Sequence, residues 1–392
     1  KVAETQRKDG LYMYRYTDER TGKRVAIYDA DLAALREKER QIAREMDDGI
    51  VTDRAAKKLT VNALFERYIE SKKLADSTRS NYIATWNNRV KDEIGGMKVV
   101  QVRPSHIRLF YSRLTKAGYS HSTIKLIHNL LYPSFAMAVD DDIIRKNPAK
   151  DALGDNGEPA KEKMALTPSQ QNRFLSFVEQ SSVYNVYLPM LQIMIGTGCR
   201  CGELIGLTWA DVDMEKKEVS ISCQLIYKNY GDGYKFHVST PKTDAGIRKI
   251  PMSETAYKAF ATQKRQNFLQ RLPRNVEIEG RTDFIFMSKN GRPLMPSAVN
   301  NVLYNIVAAY NKQETEQAKK EKREAECMPS ISAHTLRHTG CTRMAEQGLD
   351  MKVVQYIMGH ANIGVTMEVY NHITERARIE NEIAKMDTVQ VV

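Results

Sequence analysis

Two arginines, two histidines and a tyrosine, spread over a few short segments, are of the residue types needed to attack a phosphodiester without a metal ion. They are Arg200, His334, Arg337, His360 and Tyr370. A guanidinium group binds two non-bridging phosphate oxygens as a planar fork. Histidine moves a proton near neutral pH, and tyrosine, whose free pKa is about 10, becomes a covalent nucleophile once its proton is removed. The ordered set points to this chemistry more specifically than any single member does.

The same segments contain two patterns that resemble parts of metal sites. His334 and His338 lie four residues apart, as in a zinc-binding helix, but the zinc-protease pattern needs a glutamate where Thr335 stands. Cys199 and Cys201 have no second Cys or His pair at zinc spacing around them. We therefore expect no metal and no other cofactor.

The charge balance favours a polyanionic partner. The 392 residues carry a formal net charge of +11, with a pI of about 9.2, and neutralising phosphates releases condensed counterions. On charge alone, a merely basic globular protein is an equal alternative. The five cysteines form no paired framework, and no membrane-length apolar run or secretory leader is visible. We expect a cytoplasmic protein of two or three domains with reduced thiols.

Residues 1–55 have the pattern of a small module. Leu11–Tyr16 alternates as a strand does, a turn at Gly22 follows, and Lys23–Tyr28 predicts a second strand. A charged helix is expected from Asp31 to about Asp47. Such a sheet could lie on DNA as β-ribbon readers do, or it could be a solvated hairpin without a ligand. The candidate DNA contacts in this module are Arg15, Lys23 and Arg24.

Residues 59–148 predict an all-α bundle of four helices. The helices are expected to begin near Leu59, Ser77, Pro104 and Ser122, with proline at a favoured first-turn position. Its basic residues could track phosphates or simply face solvent. The candidate DNA contacts in this bundle are Arg79, Arg89 and Lys125. Residues 149–163, rich in Gly, Pro, Asp and Lys, predict a linker.

Residues 165–392 predict a mixed α/β domain that is mainly helical. Thr167–Gln170 has the pattern of an N-cap, a first-turn proline and a capping-box glutamine. The charged stretch Lys312–Glu326 predicts either a protruding helix or a loop that orders on binding. The remaining predicted helices are Val186–Gly198, one that Ser253 caps and that reaches about Leu272, and Ser297–Tyr310. The predicted strands are Glu218–Tyr227, Tyr234–Ser239, Arg248–Pro251 and Phe284–Met287.

As an ordered series, these segments resemble the tyrosine recombinases, which cut and rejoin DNA. The segments that carry the resemblance are 196–204, 240–250, 334–338, 358–360 and residue 370. The N-terminal strand module and Thr240–Thr243 look most like the integrases of conjugative transposons. The fold class that this implies is multidomain: a small β-sheet plus helix module, an all-α core-binding bundle and a mainly helical α/β catalytic domain.

The resemblance implies that Arg200 and Arg337 clamp the scissile phosphate. Fixed cationic donors suit the charge that grows on the equatorial oxygens of the transition state. From the residues alone, Arg200 could instead form a structural salt bridge to Glu203. We interpret Glu203 as structural support rather than as a catalyst.

The resemblance also implies a lysine that protonates the departing 5′ oxygen. Lys242 matches the family pattern, whereas Lys235 and Lys249 lie nearby in the sequence and do not. His334 would accept the tyrosine proton or assist its movement. The plain alternative for Lys242 is an ordinary surface lysine, and for His360 it is a helix cap or a polar contact.

The remaining implied roles concern the last segment. His360 would donate to a phosphate oxygen, and His338 is expected to pack or to support. Tyr370 would attack to give a 3′-phosphotyrosine, which conserves the bond energy so that joining needs neither ATP nor a metal. Tyr356 is the nearby competitor, but the stretch Val353–Ile357 is expected to pack as a helix face.

By resemblance, the module would bind arm-type DNA sites, while residues 59–148 and 165–392 would form a clamp on the core site. Four protomers would exchange strands through a Holliday junction to insert and excise a mobile element, with an accessory excision factor as a further expected partner. The amphipathic tail Glu375–Met386 would dock on a neighbouring subunit or pack on its own domain. A type IB topoisomerase-like enzyme and a DNA-binding protein without catalysis are the alternatives. We expect association with the bacterial nucleoid.

Overall fold

The computed structural model of the chain describes residues 4–17, 24–47, 58–159, 165–241, 243–270 and 276–371. The chain divides into two compact units, Lys1–Lys161 and Glu162–Val392. The boundary between them falls within the stretch 149–163 that has the composition of a linker. None of the described helices is long and apolar enough to span a lipid bilayer.

The first unit begins with a three-stranded antiparallel sheet and a helix. The strands are β1 (Glu4–Gln6), β2 (Tyr12–Thr17) and β3 (Arg24–Asp29), in that order across the sheet, and α1 is Leu32–Asp47. Met13 and Leu35 are buried, as an amphipathic helix packed on one sheet face requires. The sequence pattern predicts β2, β3 and α1 but misses the short β1. Lys23 lies outside the described residues, whereas Arg15 and Arg24 are exposed on paired strands.

The four predicted helices of the bundle are present, and three of them start at a capping side chain or a first-turn proline. Thr60 and Ser120 accept hydrogen bonds from backbone N–H groups of the first turns, and Pro104 opens the third helix. The rings of Phe65 and Trp86 stack 3.9 Å apart in the core. The helices are α2 (Val61–Ser71), α3 (Asp76–Arg89), α4 (Pro104–Lys116) and α5 (His121–Asp140).

The second unit is helical with two small sheets. The predicted capping box is confirmed, because Thr167 Oγ1 accepts from the Gln170 N–H and the Gln170 side chain accepts from the Thr167 N–H. The helices are α6 (Pro168–Gln180), α7 (Leu188–Thr197), α8 (Cys201–Gly206), α9 (Glu254–Gln270), α10 (Pro296–Glu321), α11 (Ala333–Glu346), α12 (Met351–Met358) and α13 (Ile363–Asn371).

The sheets of this unit correct two strand predictions. Glu218–Tyr227 is not one strand: β5 (Glu218–Ile221) pairs with β4 (Val212–Asp213) and β8 (Arg248–Pro251), whereas β6 (Gln224–Asn229) forms a hairpin with β7 (Tyr234–Ser239). The apolar alternation continues across the break, so periodicity cannot reveal the change of sheet. Phe284–Met287 makes only isolated bridges, at Phe284 and Met287.

The charged stretch near residues 312–326 continues α10 as a helix, which decides between the two alternatives that its composition leaves open. The helix ends where Lys322 takes a left-handed conformation, with φ 54°. The returning chain is then held against the helix, because Asn311 donates to the Met328 carbonyl at 3.0 Å and Glu314 pairs with Arg323.

The contact between α7 and α11 depends on a glycine. A Cβ on Gly340 would lie 2.3 Å from the carbonyl oxygen of Ile195, closer than any real contact. We predict that Gly340→Ala forces the two helices apart at a cost of about 1–3 kcal/mol. Calorimetry should show the transition of the second unit lowered by roughly 2–4 °C per kcal/mol.

Gly364→Ala is the matched control, because its nearest obstacle is the movable side chain of Asn362 at 3.3 Å. An unchanged transition in Gly340→Ala would contradict the packing described for these helices.

Candidate active site

Arg200 lies at the N-cap of α8, held by the carboxylate one turn later. Its backbone N–H donates to Glu203 Oε2 at 2.8 Å and its guanidinium donates to Oε1 at 2.7 Å. A second guanidinium nitrogen donates to the Gly359 carbonyl at 3.1 Å. The side chain remains 41% exposed, and a guanidinium has five N–H groups. Arg200 is thus fixed in place with donors left over for an external anion.

Arg337 reaches the same place from α11. It donates to the carbonyls of Gly198 at 2.6 Å and Met358 at 2.5 Å, and only 4% of the residue is exposed. Burial and the neighbouring guanidinium of Arg200 lower its pKa to about 10. Because Met358 and Gly359 are adjacent, the two arginines hold consecutive carbonyls at one helix end.

The carbonyls that the two arginines bind lie at helix ends where a glycine adopts a left-handed backbone conformation. Gly198 ends α7 with φ 59° and Gly359 ends α12 with φ 60°. A Cβ on Gly359 would meet Arg248 Nη1 at 2.8 Å, and one on Gly198 would meet Met358 Sδ at 2.4 Å. Both positions therefore favour glycine for backbone freedom and for space.

Arg248, on β8, is a residue of the site that sequence reasoning missed. Its side chain is fully buried and donates to Glu203 Oε2 at 2.9 Å, to the Gly246 carbonyl at 2.9 Å and to the Ile357 carbonyl at 2.7 Å. The strand alternates buried and exposed residues, so position 248 shares the buried face with Ile250. A charged residue on the buried face of a strand signals a required partner, and Glu203 supplies it.

His360 follows Gly359 directly and lies among these cations. Its Nδ1 is 2.9 Å from Oγ1 of Thr366, which is on α13. Burial, and then the charges of Arg337, Arg200 and Arg248, lower the pKa of His360 to about 4. The imidazole is therefore neutral at physiological pH.

The other predicted histidine site residue is on the first turn of α11. His334 is exposed, one turn before Arg337 in the same helix, and it is among the groups that lower the pKa of His360. His338 is half-buried. Among the described residues, no group of three or more His, Cys, Asp and Glu could hold a metal ion.

Lys242 itself lies outside the described residues, but its neighbours line the site. Pro241 and Thr243 border a cavity of about 330 Å³ together with Arg200 and Gly359. The two competing lysines are engaged elsewhere: Lys235 pairs with Asp232 in the hairpin turn, and Lys249 pairs with Glu218 at 3.2 Å.

Tyr370 is on α13, four residues after Thr366, and its side chain lies outside the described part of the chain. α13 packs against α11 and α12, which carry Arg337 and the Met358 carbonyl. The predicted helix packing is confirmed for Val354 and Ile357 but is wrong for Tyr356 and Val353, which are 53% and 47% exposed. The Tyr356 hydroxyl accepts a hydrogen bond from the Lys249 N–H at 3.2 Å.

The sequence matches the model of the phage integrase family over residues 164–376, which include all six candidate catalytic residues. The chain belongs to this family. The transposase from transposon Tn916 of Enterococcus faecalis is 33% identical to this chain, over 95% of this chain and 91% of the transposase. The chain is a tyrosine recombinase related to conjugative-transposon integrases.

Two solved structures of another family member are also similar. The Tn1549 transposon integrase bound to transposon right-end DNA is 32% identical, with a TM-score of 0.70, over 84% of this chain and 99% of that one. The same integrase bound to circular-intermediate DNA is 32% identical, with a TM-score of 0.71, over 83% and 99%. The multidomain, mainly helical fold class expected for the family is thus confirmed.

The carboxylate of Glu203 balances the buried charge of Arg248, and its loss should be costly. Burial alone would raise the pKa of Glu203, but hydrogen bonds and charge from Arg248, with hydrogen bonds from Arg200, outweigh it and lower the pKa. We predict that Glu203→Gln destabilises the second unit by about 3–5 kcal/mol, because an unpaired buried charge remains. Chemical denaturation followed by circular dichroism measures this.

Glu254→Gln is the control, since Glu254 pairs with Lys217 at an exposed site and should change stability by about 1 kcal/mol or less. The stabilisation of the folded state by the Glu203 carboxylate is fully present above the unfolded-state pKa of about 4.3. It is lost as the pH falls through the lower pKa of the folded state. The difference between wild type and Glu203→Gln should therefore shrink in acid. A difference that is small at pH 7, or that grows on acidification, would contradict this role.

Proposed function

We propose that this protein is the integrase of a mobile genetic element, which cuts and rejoins double-stranded DNA through a 3′-phosphotyrosine intermediate. The observation that carries the proposal is the convergence of Arg200 and Arg337 on the adjacent carbonyls of Gly359 and Met358, beside neutral His360. The similar Tn1549 integrase has been solved in complex with transposon right-end DNA and with circular-intermediate DNA, which supports transposon-type DNA as the substrate of this chain.

The two arginines and His360 would stabilise the pentacoordinate transition state of the phosphodiester more than its tetrahedral ground state. The remaining donors of Arg200 and Arg337 meet the growing charge on the equatorial oxygens, where fixed donors are most effective. Neutral His360 adds a hydrogen-bond donor without further positive charge. Lys242, whose sequence neighbours Pro241 and Thr243 line the cavity with Arg200, would protonate the 5′ oxygen as it leaves.

The nucleophile in this proposal is Tyr370. Attack by its oxygen on phosphorus forms the 3′-phosphotyrosine bond and breaks the bond to the 5′ oxygen, and His334 assists transfer of the phenolic proton. A 5′ hydroxyl from a second strand reverses the step, so that joining needs neither ATP nor a metal ion.

Assembly and further contacts belong to the same proposal. Residues 1–55 bind arm-type sites, residues 59–148 and 165–392 grip the core site, and residues 149–163 link them. Four protomers exchange strands, the tail Glu375–Met386 docks on a neighbouring subunit or on its own domain, and an accessory factor favours excision. The enzyme acts on the bacterial nucleoid in the cytoplasm.

The candidate DNA contacts differ in how freely their side chains are available. Lys125 is exposed on α5, as are Arg15 and Arg24 on the N-terminal sheet. Arg89, in contrast, lies 5.3 Å over the ring of Tyr119 and its Nε is buried. Arg79 is half-buried. Lys23 lies outside the described residues, so its proposed DNA contact rests on the sequence alone.

Lys125→Ala should weaken DNA binding uniformly across sequences and reduce the slope of log K against log salt by about 1, the value for one phosphate contact. Arg89→Ala should change the slope less and lower thermal stability more. Fluorescence anisotropy over a salt series measures both, and an unchanged slope in Lys125→Ala would remove that residue from the DNA contacts.

A nicked suicide substrate, built on a site selected by footprinting random DNA fragments, tests the reaction. Tyr370→Phe should abolish the covalent adduct while DNA binding stays within about twofold, because only the nucleophilic oxygen is lost. Tyr356→Phe is the matched control and should form the adduct normally. A full adduct yield in Tyr370→Phe would refute the assignment.

The same substrate separates the alternatives. Adduct with strand exchange supports a recombinase, adduct with relaxation of supercoils alone supports a topoisomerase, and DNA binding without adduct supports an inactive binder.

A further inference from the structure

The contact between His360 and Thr366 joins two parts of the site that the sequence separates. His360 follows the Gly359 carbonyl that Arg200 binds, and Thr366 lies one turn before Tyr370 on α13. The distance between Nδ1 and Oγ1 is 2.9 Å. Neither atom position by itself says which of the two groups donates the hydrogen.

Burial of Thr366 decides the direction. The residue is 1% exposed, so water cannot accept its hydroxyl hydrogen, and a buried hydroxyl without an acceptor is strongly disfavoured. Within the described ranges, Thr366 Oγ1 has no other hydrogen-bond partner. The hydroxyl therefore donates to Nδ1, which must be the unprotonated nitrogen of the ring.

A neutral imidazole carries one N–H, so the hydrogen is then on Nε2. We propose that Thr366 is a positioning residue that fixes the tautomer of His360, so that the ring offers an Nε2–H donor to the scissile phosphate. This deepens the proposed function and rests on it for the identity of the anion. The structural part, a tautomer set by one buried hydroxyl, stands without it.

The charges around His360 explain why a tautomer lock is needed. Burial disfavours the doubly protonated ring, and so do Arg337 and His334 from α11, Arg200 from the start of α8 and Arg248 from β8. An imidazolium would donate from both nitrogens whatever its surroundings. A neutral ring donates from only one, and without Thr366 the hydrogen could occupy Nδ1 instead and leave Nε2 an acceptor.

The test compares Thr366→Val with Thr366→Ser. Valine keeps the shape and removes the hydroxyl, whereas serine keeps the hydroxyl, so a purely steric role would predict the opposite order. Thr262→Val is the matched control, because Thr262 is an exposed helical threonine whose hydroxyl donates to the Lys258 carbonyl. The full chain is used throughout.

The first readout is the ¹⁵N spectrum of the histidine side chains at pH 7 without DNA, assigned with His360→Gln. Wild type and Thr366→Ser should show His360 protonated on Nε2, and Thr366→Val should show a mixture or the Nδ1–H form. An Nδ1–H tautomer in wild type, or an unchanged Nε2–H tautomer in Thr366→Val, would overturn the proposal, whatever reaction the protein catalyses.

The second readout is single-turnover cleavage of the suicide substrate. Thr366→Val should slow adduct formation by about tenfold or more, which is less than the 10²–10³-fold loss typical of removing an oxyanion donor outright. DNA affinity should stay unchanged, and Thr366→Ser should restore most of the rate. Equal rates in Thr366→Val and wild type would show that the tautomer does not matter for cleavage. Absence of any adduct in wild type would instead count against the proposed function and leave the tautomer result standing.

Discussion

Three guanidinium groups are gathered around one buried carboxylate, and the rest of the site depends on that balance. Glu203 accepts from Arg200 and from Arg248 and is itself almost completely buried. Three cations in a small volume repel one another, and burial penalises each of them. A single carboxylate, together with backbone carbonyls from two helix ends, makes this concentration of charge tolerable in the folded protein.

The same arrangement explains why an anion belongs there. The Arg248 guanidinium donates its hydrogen bonds to protein groups and is fully buried, whereas the Arg200 side chain remains partly exposed. Arg337 donates one hydrogen bond to each of two carbonyls, and the other N–H groups of its guanidinium are left to bind an anion. A phosphodiester would add the negative charge that one glutamate does not supply. Binding and catalysis therefore draw on the same excess of positive charge.

The sequence predicts the parts of this account that are carried by local patterns. Arg200, Arg337 and His360 stand in short motifs, and the structure brings them together at the Met358–His360 segment. The helix starts predicted near Leu59, at Pro104 and at Thr167–Gln170 are confirmed, since these helices begin at Val61, Pro104 and Pro168. Glu203 was expected as support, and it does support Arg200.

What the sequence could not give depends on tertiary contacts. Arg248 looks like an ordinary strand cation until its buried partner Glu203, on helix α8, is known. The break between β5 and β6 leaves the apolar alternation intact, so the change of sheet is invisible to periodicity. The sequence predicts that Tyr356 packs, yet the residue is 53% exposed and its hydroxyl reaches the adjacent strand β8 through the Lys249 N–H.

The most direct test of the central claim is to identify the amino acid that becomes linked to DNA. Wild-type protein trapped on a suicide substrate, digested with protease and nuclease, should give one nucleotide-bearing peptide by mass spectrometry. We predict that the phosphate is on the oxygen of Tyr370, joined to a 3′ nucleotide end. A modification on Tyr356 or any other residue, or a linkage through a 5′ phosphate, would contradict the account.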